Sequence, residues 1–438
     1  MIGIGMRSIA IPSLTRRGFL AGSAACLAVR PAMATPSEAS LRATVGRTTI
    51  AADVPEVETW MLAGQPGSPW RFPQNADLKV ALANDLPVPV VLDWRGLDGA
   101  PSLMPLLSTP PLQPGQSATL TAPLRQAGSF YIDAWAIDDK GPRIIRSCPL
   151  VTQGPGETGV DRDEVLVIED WPSGPPQPDT GATPPATRFT LNGKSPADIS
   201  VSAMQRVRLR FINASYRSVV ALKIDGHEVT VIGFDGAPAE PFPARAGQLI
   251  LAAGSRADVI IDATKAAGST WPILLHDGTT ARVLARLVYD AAPVRAAALS
   301  DPPPPHPDNG LPPRLDLQRA VRADLALGDS LGVPPWSRAA DFKIASPPAF
   351  KAKRDRTVLL TLTNPGPHIT TFRLHGHHFR LLDKLDDGWK PFWLDTLAVE
   401  PSQTQRIAFA AGPAGGYILS AISIQPESER MVRWFAVE

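Results

Sequence analysis

Short apolar runs, separated by Pro, Gly and Asp, are the main pattern along the chain. In its first part these runs are LKVALAND (78–85), VPVVLDW (88–94), ATLTAPL (118–124) and SFYIDAWAI (129–137). Runs of this length that are bounded by turn residues are typical of strands in a β-sandwich. The pattern therefore predicts a first β-sandwich domain over residues 38–155.

A second block of similar runs predicts another sandwich over residues 160–292. Its main runs are EVLVIEDW (164–171), RVRLRFINAS (206–215), QLILAAGSRADVIIDA (248–263) and PILLHDG (272–278). Charged and apolar residues alternate in RVRLRFIN, as expected of a strand with one apolar face. Asp235-Gly236 and the GSR tripeptide are turn signals between runs.

A Pro-rich segment, DPPPPHPDNGLPP (301–313), follows the second block. It cannot be a central strand because Pro lacks the N–H that a sheet needs, and we expect a stiff linker over residues 293–345. The apolar spacing of residues 315–328 suits either a short helix or a strand. Further runs at 356–364, 404–412 and 429–437 predict a third sandwich over residues 346–438.

Composition agrees with an all-β protein built from three β-sandwich domains. Hydrophobic residues make up 44% of the chain, which is enough for several packed cores and argues against disorder. The 47 Pro and 34 Gly favour a protein rich in loops over a helical one. The formal net charge is +1, without a long basic run, so nucleic acid is not an expected partner.

The first 34 residues have the features of an export signal. Arg16 and Arg17 form a twin-arginine pair, an apolar stretch runs from 19 to 29, and 32–34 is an Ala-Met-Ala cleavage sequence. This resembles a Tat signal and predicts a periplasmic protein, with an uncleaved anchor as the alternative. No later stretch approaches the roughly 20 apolar residues of a membrane span. We expect a monomer.

Cysteine usage excludes an intramolecular disulfide in the processed chain. The two Cys are Cys26, within the signal, and Cys148. A lone Cys between apolar runs is expected to be a small buried hydrophobic residue.

Five segments resemble the multicopper oxidases, including laccases, copper efflux oxidases and exported cell-division proteins of the SufI type. These segments are LDWRGLDG (92–99), GSFYIDAW (128–135), the second-domain run from 206 to 263, FRLHGHHF (372–379) and GYILSAISIQPESERMV (416–432). The resemblance covers essentially the whole chain after the signal, and implies three cupredoxin-like domains, each a Greek-key β-sandwich or barrel.

The resemblance also implies where copper ligands would stand. A type 1 copper is bound by two His and a Cys thiolate with a weak axial Met, and the family's second centre holds three coppers on imidazoles. At the corresponding positions this chain has other residues, which are Asp93, Arg95, Asp133, Trp135, Thr370, Arg373, Ser420, Ala421, Ile422 and Pro426. His375 matches a ligand position, and Met431 matches the axial Met.

A count supports this comparison without depending on alignment. The full set needs about ten His and one Cys, and the chain has seven His in all. We therefore expect no standard copper set and no cofactor. Arg95 and Arg373 are cations at positions of bound cations, and with Asp93 and Asp133 they are expected to form an ion-pair network, because buried charges need partners.

The histidines near the third-domain motif leave one alternative open. On a strand, His375 and His377 would share a side and could form a small copper or zinc site, while His378 would face solvent. Against this, two imidazoles are fewer ligands than such sites normally have. The other histidines are expected to be structural, and these are His227, His276 and His306.

The leading functional hypothesis is a non-catalytic binding or scaffold protein at the cell envelope. By resemblance to the SufI-type proteins, its partners would be envelope or cell-division proteins. The first alternative is a laccase-like, copper-dependent oxidoreductase with an unusual site and O₂ as acceptor. The second is a copper-binding or copper-tolerance protein that uses the segment from His368 to His378.

Overall fold

We describe the protein from a computed structural model. It describes residues 37–51, 56–64, 69–138, 145–155, 159–172, 187–290, 292–328, 336–382, 388, 390–425 and 428–438. All of them belong to one compact unit, Pro36–Glu438. The predicted signal, with Arg16, Arg17 and Cys26, lies outside the described residues. Within them, no helix is long and apolar enough to cross a membrane.

The first part of the chain forms two sheets packed face to face. Its strands are β1 (Ser37–Thr48), β2 (Val57–Ala63), β3 (Trp70–Pro73), β4 (Ala76–Asn84), β5 (Val90–Arg95), β6 (Ser117–Leu124), β7 (Gly128–Ala136), β8 (Ile145–Arg146) and β9 (Cys148–Gln153). The sheet orders are β6-β4-β1-β2-β8 and β3-β9-β7-β5, with β1 parallel to β4. A single apolar core, which includes Leu78, Leu92 and Ile132, lies between them.

The second part repeats this plan. Its strands are β10 (Arg162–Pro172), β11 (Thr187–Leu191), β12 (Ala197–Val201), β13 (Arg206–Asn213), β14 (Val220–Ile224), β15 (Thr230–Phe234), β16 (Ala237–Pro243), β17 (Gln248–Leu251), β18 (Arg256–Asp262), β19 (Thr270–His276) and β20 (Ala281–Tyr289). They form sheets in the orders β11-β10-β13-β18-β15-β16 and β12-β20-β19-β14-β17. The predicted Asp235-Gly236 turn is confirmed, since both residues have positive φ between β15 and β16.

The third part contains β21 (Val321–Ala326), β22 (Ser337–Arg338), β23 (Lys351–Ala352), β24 (Thr357–Thr363), β25 (Thr370–Leu374), β26 (Arg380–Leu381), β27 (Thr396–Val399), β28 (Thr404–Ala410), β29 (Gly415–Ser423) and β30 (Met431–Val437). Their sheets are β21-β24-β28-β26 and β22-β30-β29-β25-β27. Within the described residues, short 3-10 turns occur at Pro101–Leu103, Arg245–Gly247 and Ala339–Asp341.

The last of these turns, Ala339–Asp341, directly follows β22.

Residues 315–328, which suited either a helix or a strand, contain the strand β21, paired in parallel with β24. Both β21 and β22 come from the segment predicted as a linker, and they join sheets of the third part. The Pro-rich residues 301–313 form no strand, as expected from their missing N–H groups. The fold prediction of cupredoxin-like, all-β sandwiches is confirmed.

Candidate functional site

Several of the predicted ligand positions meet where one sheet of the first sandwich faces one sheet of the third. Asp93 pairs with Asp133 across β5 and β7, and Val91 pairs with Trp135. Since residues two apart share a face of a strand, these side chains line one surface. Across from it lie β25 and β29, where Arg373 pairs with Ser420.

Apolar side chains close one end of this interface. Val91 and Trp135 of the first sandwich pack against Ile418 and Val432 of the third. The Arg430 guanidinium lies 4.5 Å from the Trp135 ring centroid, in a cation–π arrangement. Trp135, which stands at a predicted His position, therefore fills space between the two sheets.

The predicted ion-pair network is present in the middle of the interface. Arg373 donates from Nη1 to the Asp93 carboxylate and from Nη2 to the Trp94 carbonyl, at 3.2 Å. Arg95 donates from Nη2 to Asp133 Oδ2 at 2.9 Å, and its Nε lies 3.5 Å from Asp93 Oδ2. Asp93 is 1% exposed and Arg373 3%. The two charge pairs thus share one buried cluster.

The cluster keeps its central carboxylate ionised. Burial by itself raises the pKa of Asp93, but the Arg373 guanidinium, with smaller effects from His375 and Arg95, holds that pKa well below its usual value. Burial lowers the pKa of Arg95, and the surrounding Tyr131, Asp133 and Asp93 more than reverse this. Asp93 and Arg95 therefore remain a charged pair across the ordinary pH range.

His375 lies at the edge of the cluster as a neutral imidazole. Its Nε2 is 2.9 Å from Ser420 Oγ, its Nδ1 is 3.3 Å from Asp93 Oδ1, and its ring meets Trp135 edge-on. Burial, reinforced by the Arg373 charge, lowers the pKa of His375 to about 4. Both of its nitrogens already face protein atoms.

The structure does not bring His375 and His377 together as a ligand pair. The prediction assumed a continuing strand, but β25 ends at Leu374 and Gly376 has φ +69°, so the chain turns there. His377 points into the third-domain core, where its ring contacts Phe409 and Tyr417. Among the residues that the structure describes, no group of three or more His, Cys, Asp or Glu is placed to hold a metal.

His377 is neutral and structural in this position. Its Nε2 accepts from the Gly412 N–H at 2.8 Å, and its Nδ1 lies 3.3 Å from the His375 carbonyl. Burial lowers the pKa of His377 to about 4. The prediction that His378 faces solvent is wrong, because this side chain is buried between the sandwiches.

A second buried cluster, which the sequence did not predict, joins all three sandwiches at Arg256. Its guanidinium donates to both Asp395 oxygens at 3.0 Å, to the Asp235 carbonyl and to the Ser129 carbonyl. Arg256 is fully buried. The sequence offered one signal of this cluster, which is the charged Arg256 within the GSR tripeptide at 254–256 that indicated a turn.

The remaining predicted positions have structural surroundings. Thr370 is buried at the start of β25, with its Oγ1 3.4 Å from Asn364 Oδ1. Ala421 and Met431 pack in the third-domain core, and Ile422 is buried in β29. Pro426 lies outside the described residues.

The other histidines and Cys148 are placed as the sequence predicts. His227 Nε2 is 2.6 Å from Tyr289 Oη, and exposed His276 ends β19. His306 is buried, 3.5 Å from Asp258 Oδ2. Cys148 is a buried free thiol whose pKa burial raises to about 12.

A cavity of about 680 Å³ lies between the second and third sandwiches. Apolar side chains of Ile250, Ile369 and Ile424 line it, together with His276 and Asp277. Ile369 directly precedes Thr370, so the cavity adjoins a predicted type 1 ligand position.

Comparison with known proteins identifies the family. Two family models, both described as multicopper oxidase, match residues 163–292 and 314–438. The chain belongs to the multicopper oxidase family. Members of this family normally bind copper, so the match gives no support to the expectation that the protein lacks a cofactor.

Curated relatives include laccases and a bacterial oxidase. Laccase-1 of Thanatephorus cucumeris is 29% identical over 60% of this chain and 49% of its own length. Laccase-3 of Botryotinia fuckeliana is 28% identical over 44% of this chain and 47% of its own length. The matches thus span about half the length of these laccases. Multicopper oxidase MmcO of Mycobacterium tuberculosis is 24% identical over 81% of this chain and 78% of its own length.

Solved structures agree on the architecture. A multi-copper oxidase from Pseudomonas thermotolerans superposes with a TM-score of 0.76, covering 92% of this chain and 100% of that one at 22% identity. At that identity the likeness establishes the cupredoxin-like fold.

Proposed function

We propose that this multicopper oxidase family member is a non-catalytic binding or scaffold protein without the standard copper set. The Arg373–Asp93 pair, buried where the family resemblance expects imidazole ligands, is the observation that supports this. A guanidinium has no lone pair to offer a metal and repels a cation.

The surrounding donors also fit copper poorly. Copper in such centres needs imidazole nitrogen and thiolate sulfur, whereas β29 holds Ser420 opposite Arg373 and Ala421 opposite Phe372. His375 is directed to Ser420 and Asp93, at 2.9 and 3.3 Å. Cys148 belongs to the first-domain core, away from the third-domain motif. We therefore derive no reaction step through copper.

A binding role would use the three-sandwich architecture without copper chemistry. The twin-arginine segment at residues 16 and 17 supports export to the periplasm, and the resemblance to SufI-type proteins suggests envelope or division proteins as partners. The cavity beside Ile369 and Ile424 is an available concave surface for such a partner. Fold likeness by itself does not name one.

The second candidate is a laccase-like oxidoreductase, because laccases are among the curated relatives. It would require copper held by a ligand set different from that of the family motifs. The copper-binding alternative based on the segment from His368 to His378 is less favoured, because His375 and His377 point into different surroundings.

Copper loading tests the proposal. The purified protein, without residues 1–34, is incubated with Cu(II) and Cu(I), desalted and assayed for metal by mass spectrometry. We expect far less than one copper per chain, no Cu–thiolate absorption near about 600 nm, and no O₂ uptake with a phenol or Cu(I). An active laccase, treated in parallel, controls for the loading procedure.

Two outcomes would argue against the proposal. Stoichiometric copper with O₂ consumption would establish the oxidoreductase. One bound copper without turnover, abolished by His375→Ala with His377→Ala but kept in His276→Gln, would establish the copper-binding alternative. Export is tested separately, since Arg16→Lys with Arg17→Lys should retain the precursor in the cytoplasm.

A further inference from the structure

His378 lies at a junction of the three sandwiches. It follows the turn at Gly376 in the third sandwich, and its side chain is fully enclosed. Nδ1 lies 2.6 Å from Asp98 Oδ2, on the loop that follows β5 of the first sandwich. Nε2 lies 2.8 Å from the Asp235 carbonyl oxygen, in the turn between β15 and β16 of the second sandwich.

The chemistry of these two partners fixes the protonation of the ring. A carbonyl oxygen can only accept a hydrogen bond, and an ionised carboxylate likewise only accepts. A neutral imidazole has one N–H and can satisfy just one of them. We infer that His378 is an imidazolium that fastens the three sandwiches together, and that the fastening weakens when the ring loses a proton at alkaline pH.

The charges around His378 favour this state. Asp98 and Asp395 are the anions that face it. The cations Arg256 and Arg373 lie beside Asp395, and Arg256 Nη2 also donates to the Asp235 carbonyl that faces Nε2. Burial lowers the pKa of His378, but Asp98, Asp395 and the Asp235 carbonyl reverse this and raise the pKa to about 9. The adjacent His377 is neutral and faces the third-domain core.

The sign and size of the pH effect on stability follow from the thermodynamic linkage between protonation of His378 and folding. Because the pKa of the folded state lies above the ordinary value of 6.5, the added stability is complete below pH 6.5 and is lost between pH 6.5 and about 9. A rise of about 2.5 pH units corresponds to a change of roughly 300-fold in the unfolding equilibrium constant. The inference does not depend on the proposed function.

The direct test is NMR of the purified protein labelled with ¹⁵N-histidine, titrated from pH 6 to 10. We expect both ring nitrogens of His378 to carry protons at pH 7.5 and to titrate near pH 9. Asp98→Asn should move this midpoint towards 6.5, since it removes the anion next to Nδ1. A neutral ring at pH 7.5, or an unchanged midpoint in Asp98→Asn, would overturn the inference.

Urea unfolding provides a second readout. Wild type and the matched control His276→Gln, at an exposed histidine, should lose stability together between pH 6.5 and 9.5. His378→Gln, whose one amide nitrogen can take the place of one ring nitrogen but not of both, should be less stable at pH 6.5 and should not show this alkaline loss. An alkaline loss of wild-type size in His378→Gln would contradict the inference, and the NMR titration remains decisive if that variant does not fold.

Discussion

Replacing Arg373 by Met tests whether the buried ion pair holds the first and third sandwiches together. Met keeps an unbranched side chain of similar reach but removes the donors to Asp93 and to the Trp94 carbonyl. Among the described residues, Asp93 would then keep the more distant Arg95 Nε, at 3.5 Å, and His375 Nδ1, at 3.3 Å.

The expected cost follows from the burial of Asp93. Removing one partner of a buried pair destabilises a protein by about 3–5 kcal/mol. Because Arg95 remains nearby, we expect the lower end, about 3 kcal/mol, or roughly a 150-fold change in the unfolding equilibrium. Urea unfolding at pH 7.5, followed by tryptophan fluorescence, should show a lower midpoint with an unchanged slope.

The pH dependence distinguishes a lost ion pair from a packing defect. In wild type the pKa of Asp93 is depressed, so its stabilising contribution is present above its ordinary pKa and is lost as the pH falls through the depressed value. In Arg373→Met, burial should raise that pKa, so protonation restores stability on acidification. The difference in the free energy of unfolding between Arg373→Met and wild type, called the stability gap, should therefore be smaller at pH 5 than at pH 7.5.

Two further variants test whether the lost ion pair causes the destabilisation. Asp93→Leu combined with Arg373→Met should recover most of the loss, because an apolar replacement of a whole buried pair is often neutral. Arg286→Met, at an exposed ion pair with Asp198, should lower the stability far less, because exposed ion pairs contribute little. The reasoning is refuted if Arg373→Met loses no more stability than this control, or if the stability gap between Arg373→Met and wild type does not change with pH.

Three further predictions concern other parts of the structure. The pKa values of His375 and His377 are lowered to about 4, so stability should be lost as the pH falls from 6.5 towards 4, and His377→Phe should reduce this acid loss in urea unfolding. Gly254→Ala should destabilise the protein by about 1–3 kcal/mol in calorimetry, since Gly254 has φ +96° and an added Cβ would clash with the Arg95 guanidinium; an unchanged melting temperature would contradict this. Cys148, with its pKa raised to about 12 by burial, should resist a thiol reagent at pH 8 until urea is added, and rapid native labelling would show that the site opens.

Strand positions could be predicted because short apolar runs bounded by Pro, Gly and Asp report local structure directly. What the alternation could not reveal is what covers each face. In β13, Arg206, Arg208 and Arg210 alternate with apolar residues as expected of a solvent-facing side, yet all three are buried against carboxylates. Tertiary packing, which leaves no local pattern, determines this.

The candidate site likewise contains residues whose contacts could be predicted from the sequence and residues whose contacts could not. The pairing of Arg373 with Asp93 could be predicted, because a motif placed both residues and buried charges need partners. The positions of His377 and His378 could not, because the turn at Gly376 ends the strand periodicity on which the prediction relied. The Arg256 cluster joins segments far apart in sequence, so no spacing signal marked it.

The Arg256 cluster has a consequence for dividing the chain into smaller pieces. The sequence suggests three domains that fold independently, with a Pro-rich linker before the third. Yet an isolated second sandwich would present Arg256 to solvent without Asp395, and an isolated third would leave Asp395 without its bidentate partner. In protein engineering, residues 37–438 should therefore be fused or displayed as one unit and should not be divided at the predicted domain boundaries.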